Sequence, residues 1–255
     1  MIALTKLIPS SAPILAVGPL ALGISEPNVD QRHVGIFFRT NDSNEYQFIH
    51  LAFHRLLKVE QAADQDCFWV VPEVPDRRLR QVAAICRQIA NAKPDIPYSF
   101  GTPSDCFDRE TAEFLLGPTT TGLTCASFVL AVFQQAGIPL VVRETWPPPN
   151  PEDIQWQEHI VGWLESNRVR YGVSDAHLQS IRNEVSTSVR YRPEHVAAVG
   201  MLRNRKPLRY LPTLRFSKMI LAQIRGKSVK PHLTLAEILL CSVVKVSKRY
   251  TIVKP

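Results

Sequence analysis

Two apolar, strand-forming runs, Val34–Phe38 and Tyr46–Phe53, flank the polar stretch Thr40-Asn41-Asp42-Ser43-Asn44. Residues of that kind between two such runs make a turn, so an antiparallel strand pair near the N-terminus is expected. His33 stands at the start of the first strand and His50 lies inside the second. A turn centred on Asn41-Asp42 sets 33 opposite 50. One centred on Asp42-Ser43 sets 33 opposite 52, with 50 diagonal to it. Either register places both imidazoles on one face, because side chains alternate along a strand with period two. Gly35, between them in the pattern, would let a helix approach closely or mark a bulge.

Further elements follow from local signals. Cys67–Val71 reads as a short third strand. Asp76 caps a helix whose apolar stripe is Leu79, Val82, Ala83, Cys86, Ile89 and Ala90. A loop spans Lys93–Cys106, and a short helix is expected over Asp108–Leu116. A helix starting near Cys125 ends at Gly137, a residue suited to the left-handed turn after a helix. Leu7–Ile24 is apolar but broken by prolines and glycines, which suits a packed segment. The run Trp146-Pro147-Pro148-Pro149-Asn150-Pro151 continues neither helix nor sheet, and it divides residues 1–145 from 146–255. Beyond it, helices are expected over Glu152–Ser166, Asp175–Ser186, Pro193–Leu202 and Leu235–Leu240, then partly strand over Leu240–Val253.

The charge is unevenly spread. Residues 1–150 hold 12 Lys+Arg against 15 Asp+Glu, whereas residues 151–255 hold 18 against 8. Arg203, Arg205, Lys206, Arg209, Arg215, Lys218, Arg225, Lys227 and Lys230 form a basic segment. Such a segment suits an anionic partner, whether nucleic acid, membrane surface or acidic polymer; the plainer alternative is a solvated basic surface. No apolar stretch is long enough to span a bilayer, and the chain is expected to be cytoplasmic as synthesised, with non-classical export left open. The five cysteines, 67, 86, 106, 125 and 241, include no C-x-x-C pair, which disfavours zinc and redox motifs; reduced thiols are expected.

Thr124-Cys125-Ala126-Ser127-Phe128-Val129 reads as the first turn of a buried helix. A thiol at a helix N-terminus faces unpaired N–H groups and the positive end of the dipole, an environment that lowers a cysteine pKa. A thiol nucleophile also needs a base and a group to orient that base. His33 and His50 supply both if the cysteine helix packs on their face of the sheet. Cys106, in Ser104-Asp105-Cys106-Phe107, is a rival nucleophile. Glu194-His195-Val196-Ala197-Ala198-Val199-Gly200 is a weak rival histidine strand.

These residues resemble a family. His33-Val34-Gly35-Ile36-Phe37-Phe38 with Phe48-Ile49-His50-Leu51 looks like the histidine hairpin of the permuted NlpC/P60 papain-like superfamily, to which lecithin:retinol acyltransferase-like proteins belong. Thr124–Val129, continuing to Gln135-Ala136-Gly137-Ile138-Pro139-Leu140, looks like its cysteine helix and exit, and Pro97-Tyr98-Ser99-Phe100-Gly101 like the approach to it. The resemblance covers about residues 30–142. It implies a papain-like α+β fold with a helical, basic C-terminal extension, and Cys125 as nucleophile, His33 as base and His50 as orienting residue. It further implies hydrolysis or acyl transfer at an amide or ester of a cell-wall peptide, a protein or a lipid, with no metal or organic cofactor. The flanks of Cys125 differ from the Asp-Cys-Ser-Gly and Asn-Cys-Glu-His common there, which leaves substrate class open. The alternatives are an inactive papain-like binding scaffold and a basic nucleic-acid or membrane adaptor.

Overall fold

Six strands form one antiparallel sheet: β1 (Ile8–Pro9), β2 (Leu20–Asn28), β3 (Gln31–Arg39), β4 (Tyr46–Phe53), β5 (Leu56–Gln61) and β6 (Phe68–Val70), in the spatial order β1-β6-β2-β3-β4-β5. Around them lie α1 (Asp76–Ala92), α2 (Cys125–Gln135), α3 (Pro151–Ser166), α4 (Arg168–Tyr171), α5 (Asp175–Glu184), α6 (Pro193–Met201) and α7 (Tyr210–Ile224). The class is α+β. The computed structural model describes residues 8–9, 18–40, 45–101, 104–116, 121–202 and 206–226. The 235–240 helix, the 240–253 strand, Cys241, the turn at 41–44, and Arg203, Arg205, Lys227 and Lys230 lie outside the described residues.

The β3–β4 register sets Ile36 opposite Ile49 and Phe37 opposite Phe48, which is the spacing of a turn centred on Asp42-Ser43. Alternation then sorts the side chains. Val34, Ile36, Phe38, Ile49 and Leu51 enter the main core with α1, α2 and α6. Phe37, Tyr46 and Phe48 form a smaller cluster with Cys67 and Trp69 on the other face. The expected strand pair is therefore present, and the end of the apolar segment, Leu20–Ile24, is packed as expected, as part of a strand, Leu20–Asn28, between β6 and β3.

α1 buries the expected stripe, Leu79, Val82, Ala83, Cys86, Ile89 and Ala90. α2 begins at Cys125 because Thr124 caps it: the Thr124 side chain accepts from Ser127 N–H while Ser127 accepts from Thr124 N–H. It ends in a Schellman turn, with Gly137 at φ +66° donating to Gln134 and Ile138 donating to Phe133. The helix expected over Asp108–Leu116 is absent. The Asp108 carboxylate accepts from Glu110 N–H, Thr111 N–H and the Thr111 hydroxyl, and the chain folds back so that Phe107 pairs with Phe114.

Residues beyond the proline run share the main core. Val196, Ala197, Val199, Phe216 and Ile220 join the strands and α2 there. Asn150 caps α3 through Asp153, with Pro151 at its first turn. α3 and α5 build a third cluster around Tyr98, Phe100, Leu164 and Ile181. Two basic residues of the last quarter are committed internally. Lys206 Nζ donates to the Val199 and Leu202 carbonyls, and Arg225 binds Glu26 and Asp30. No helix among the described residues is long and apolar enough to cross a membrane.

Candidate active site

The start of β3, the second half of β4 and the N-terminus of α2 meet at a cleft of about 760 Å³. His33, His50 and Cys125 line one side of it, and Trp156, Trp163 and Tyr171 line another. The two imidazoles share a face and are joined directly, His33 Nε2 to His50 Nδ1, at 2.7 Å. His50 Nε2 reaches Glu60 Oε2 at 3.0 Å. Glu60 comes from β5, where Phe48 opposes Glu60 and His50 opposes Lys58, so the carboxylate is diagonal to His50. Lys58 and Gln65 donate to Glu60 in turn.

Gly35 serves these rings and neither admits the helix nor marks a bulge. A Cβ there would stand 2.5 Å from the Phe48 ring and 2.8 Å from both His50 Cβ and the Ile49 carbonyl oxygen. The space of a missing side chain is filled by the residues that carry and support His50.

The cysteine helix packs on the opposite face from the histidines, against Val34, Ile36, Ile49 and Leu51. It reaches them with its N-terminus and not its flank. Main-chain N–H groups favour the Cys125 thiolate, first that of Val34, the neighbour of His33, and then that of Ala126. Among the described residues no closed hydrogen bond joins the sulfur to either imidazole. The approach of α2 is fixed by Gly122, where a Cβ would lie 2.0 Å from the Pro97 carbonyl oxygen, and by the Leu123 N–H donated to that same oxygen.

The electrostatics correct one expectation. Burial pushes the Cys125 thiol up to about 11, and the N–H groups of Val34 and of the helix start offset only part of this. The site is a neutral thiol beside neutral imidazoles. His33 is pushed down to about 3, by burial first and by His50 second, and burial lowers His50 although Glu60 opposes it. For Glu60 itself burial opposes ionisation, but His50 and Lys58 outweigh it and hold the carboxyl below its usual range.

The rival residues lie elsewhere. Cys106 is buried in the main core, and burial pushes its thiol up to about 12. His195 is in α6 and not in a strand; it is buried against Trp146 and Tyr210. Sequence reasoning missed Glu60 and the facing aromatic wall. The alternation Leu57, Val59 against Lys58, Glu60 was a usable signal for β5. The wall carried none, since α3 and α4 are brought to the cleft only by tertiary packing. There Arg190 stacks 3.8 Å above the Trp156 ring and is held by Asp153 at 3.1 Å. Comparison with family models, with curated proteins and with solved structures finds no match to this chain.

Proposed function

We propose that the chain is a thiol-dependent hydrolase or acyltransferase acting on an amide or ester bond, on a papain-like body of the permuted NlpC/P60 type. The observation that carries the reading is the 2.7 Å His33–His50 bond in the cleft that Cys125 lines. His33 Nε2 is engaged by His50, so Nδ1 is the nitrogen left for a thiol proton. The Cys125 sulfur attacks a substrate carbonyl as His33 takes its proton, and the imidazolium then protonates the leaving amine or alcohol. A thiol near 11 makes this proton transfer necessary, because little thiolate exists at neutral pH. Main-chain N–H groups at the start of α2 stabilise the oxyanion. An acyl-enzyme forms and passes to water or another acceptor. The wall of Trp156, Trp163 and Tyr171 suits an apolar or planar part of the substrate.

The test is acylation by an activated ester, p-nitrophenyl acetate, read by intact mass and peptide mapping. Acetylation at Cys125 that turns over and is lost in Cys125→Ala is expected. Folded protein that is never acylated at Cys125, or is acylated equally at Cys106 and Cys67, would instead make the body a binding scaffold.

A further inference from the structure

We infer that Glu60 is a positioning residue that sets the proton arrangement of both histidines and so turns a basic nitrogen of His33 toward the cleft. The inference rests on the proposed thiol chemistry for its catalytic meaning, and for the proton arrangement on the geometry of the ring contacts together with the burial that favours neutral rings. A carboxylate only accepts, so the 3.0 Å contact fixes the proton of His50 on Nε2. Burial favours the neutral His50 ring, so its Nδ1 is then a lone pair. It can make the 2.7 Å contact with His33 Nε2 only as acceptor, so His33 carries its proton on Nε2 as well. His33 Nδ1 is left as a lone pair. One carboxylate on β5 thus fixes the form of two successive rings.

The same chain works in the other direction during turnover. When His33 takes the thiol proton, its positive charge is bonded through His50 to an anion, in a site where burial disfavours an isolated imidazolium. The charged groups facing this chain are Glu60 and Lys58, both on β5. Lys58 Nζ lies 3.4 Å from Glu60 Oε1, while Oε2 accepts from both His50 and Gln65. No atom of Glu60 needs to touch the substrate.

The inference is tested on full-length protein labelled with ¹⁵N-histidine, using long-range ¹H–¹⁵N spectra to read which ring nitrogens carry protons. Single-histidine variants assign the signals. In wild type, His33 and His50 should both be Nε2–H forms. In Glu60→Gln and Glu60→Ala, one or both should show mixed or exchanging forms at unchanged melting temperature. Acetylation of Cys125 should slow by on the order of 10- to 100-fold and change its pH profile. A wild-type His33 protonated on Nδ1 would overturn the inference without any variant. So would unchanged ring signals in the Glu60 variants. If Cys125 is never acylated but the rings still respond to Glu60, the thiol chemistry fails and the proton arrangement stands. If acylation proceeds and neither rings nor rate respond, Glu60 has no such role.

Discussion

Two histidine pairs lie close together in this chain, with His33 half-buried and the other three rings buried, and they are wired differently. His33 and His50 bond ring to ring, with a carboxylate at one end and a cleft at the other. His54 and His177, with ring centroids 4.8 Å apart, instead grip the main chain of one residue: Tyr98 N–H donates to His54 Nδ1, and His177 Nε2–H donates to the Tyr98 carbonyl. Their other nitrogens, His54 Nε2 and His177 Nδ1, are buried without partners among the described residues. The second pair is closed on the backbone; it holds Tyr98, whose side chain lines the cleft, and offers no nitrogen to a substrate. Burial and pairing alone therefore do not mark a catalytic histidine. What marks it is a ring nitrogen left over at a surface shared with a nucleophile.

The contrast breaks most sharply under alanine substitution. His33→Ala should lower Cys125 acylation by ~10²–10⁴-fold, the usual worth of acid–base assistance, with little loss of stability. His54→Ala should do the reverse. It leaves the Tyr98 N–H buried and unpaired, at a cost of about 2–3 kcal/mol, while the folded fraction keeps most of its acylation rate. Thermal melts beside acylation rates on the same samples separate the two. If His54→Ala removes acylation at unchanged stability, the second pair belongs to the chemistry.

The two pairs were unequally legible in the sequence. The strand runs around Thr40–Asn44 carried His33 and His50 to one face, because the two registers that a turn at Asn41-Asp42 or Asp42-Ser43 allows differ by two residues and so leave the faces unchanged. His177 comes from α5, and no local pattern announces that it meets His54 at the main chain of Tyr98. The same division holds elsewhere. The start of α2 was readable from Thr124 and its end from Gly137, whereas the sheet face on which it packs was not, since that depends on where the chain returns. Leu20–Asn28 hid as a strand because its first five residues are all buried, which removes the polar alternation that identifies a half-buried strand. The basic count obscured α7, whose buried face is Thr213, Phe216, Ser217, Met219 and Ile220.

Acid should act on both pairs, and on stability first. His33 is held down at about 3 and His54 at about 4, and His50 and His177 are lowered too, in each case chiefly by burial. The folded protein thus keeps these rings neutral while the unfolded chain binds protons below about 6.5. Their contribution is fully present above that pH and is lost as pH falls toward the folded values. Each adds a slope of about 1.4 kcal/mol per pH unit in that window. Glu184, raised by burial, acts in the opposite sense. Urea denaturation between pH 7 and 4 should show a steep decline in midpoint, made shallower by His54→Asn combined with His177→Gln. A midpoint that stays flat across this range would mean that neither pair is held neutral by the fold.

The mildest expected change distinguishes orienting from gripping within one pair. His50→Asn keeps a carbonyl oxygen that can accept from His33 Nε2–H, so His33 retains its form and its lone pair toward the cleft. The shorter side chain lacks the ring that joins His33 to Glu60, so the charge developing on His33 is no longer bonded through to the carboxylate. Acylation should fall about tenfold, well short of His33→Ala, within the range usual for an outer partner. Glu60 and His50 act on His33 in series, so their effects should not add. Glu60→Gln should slow acylation in wild type and do almost nothing further in His50→Asn. Additive losses would place Glu60 on a separate route to the site. A His50→Asn protein that loses stability while keeping its full rate would make the first pair a backbone support like the second, and the contrast between them would disappear.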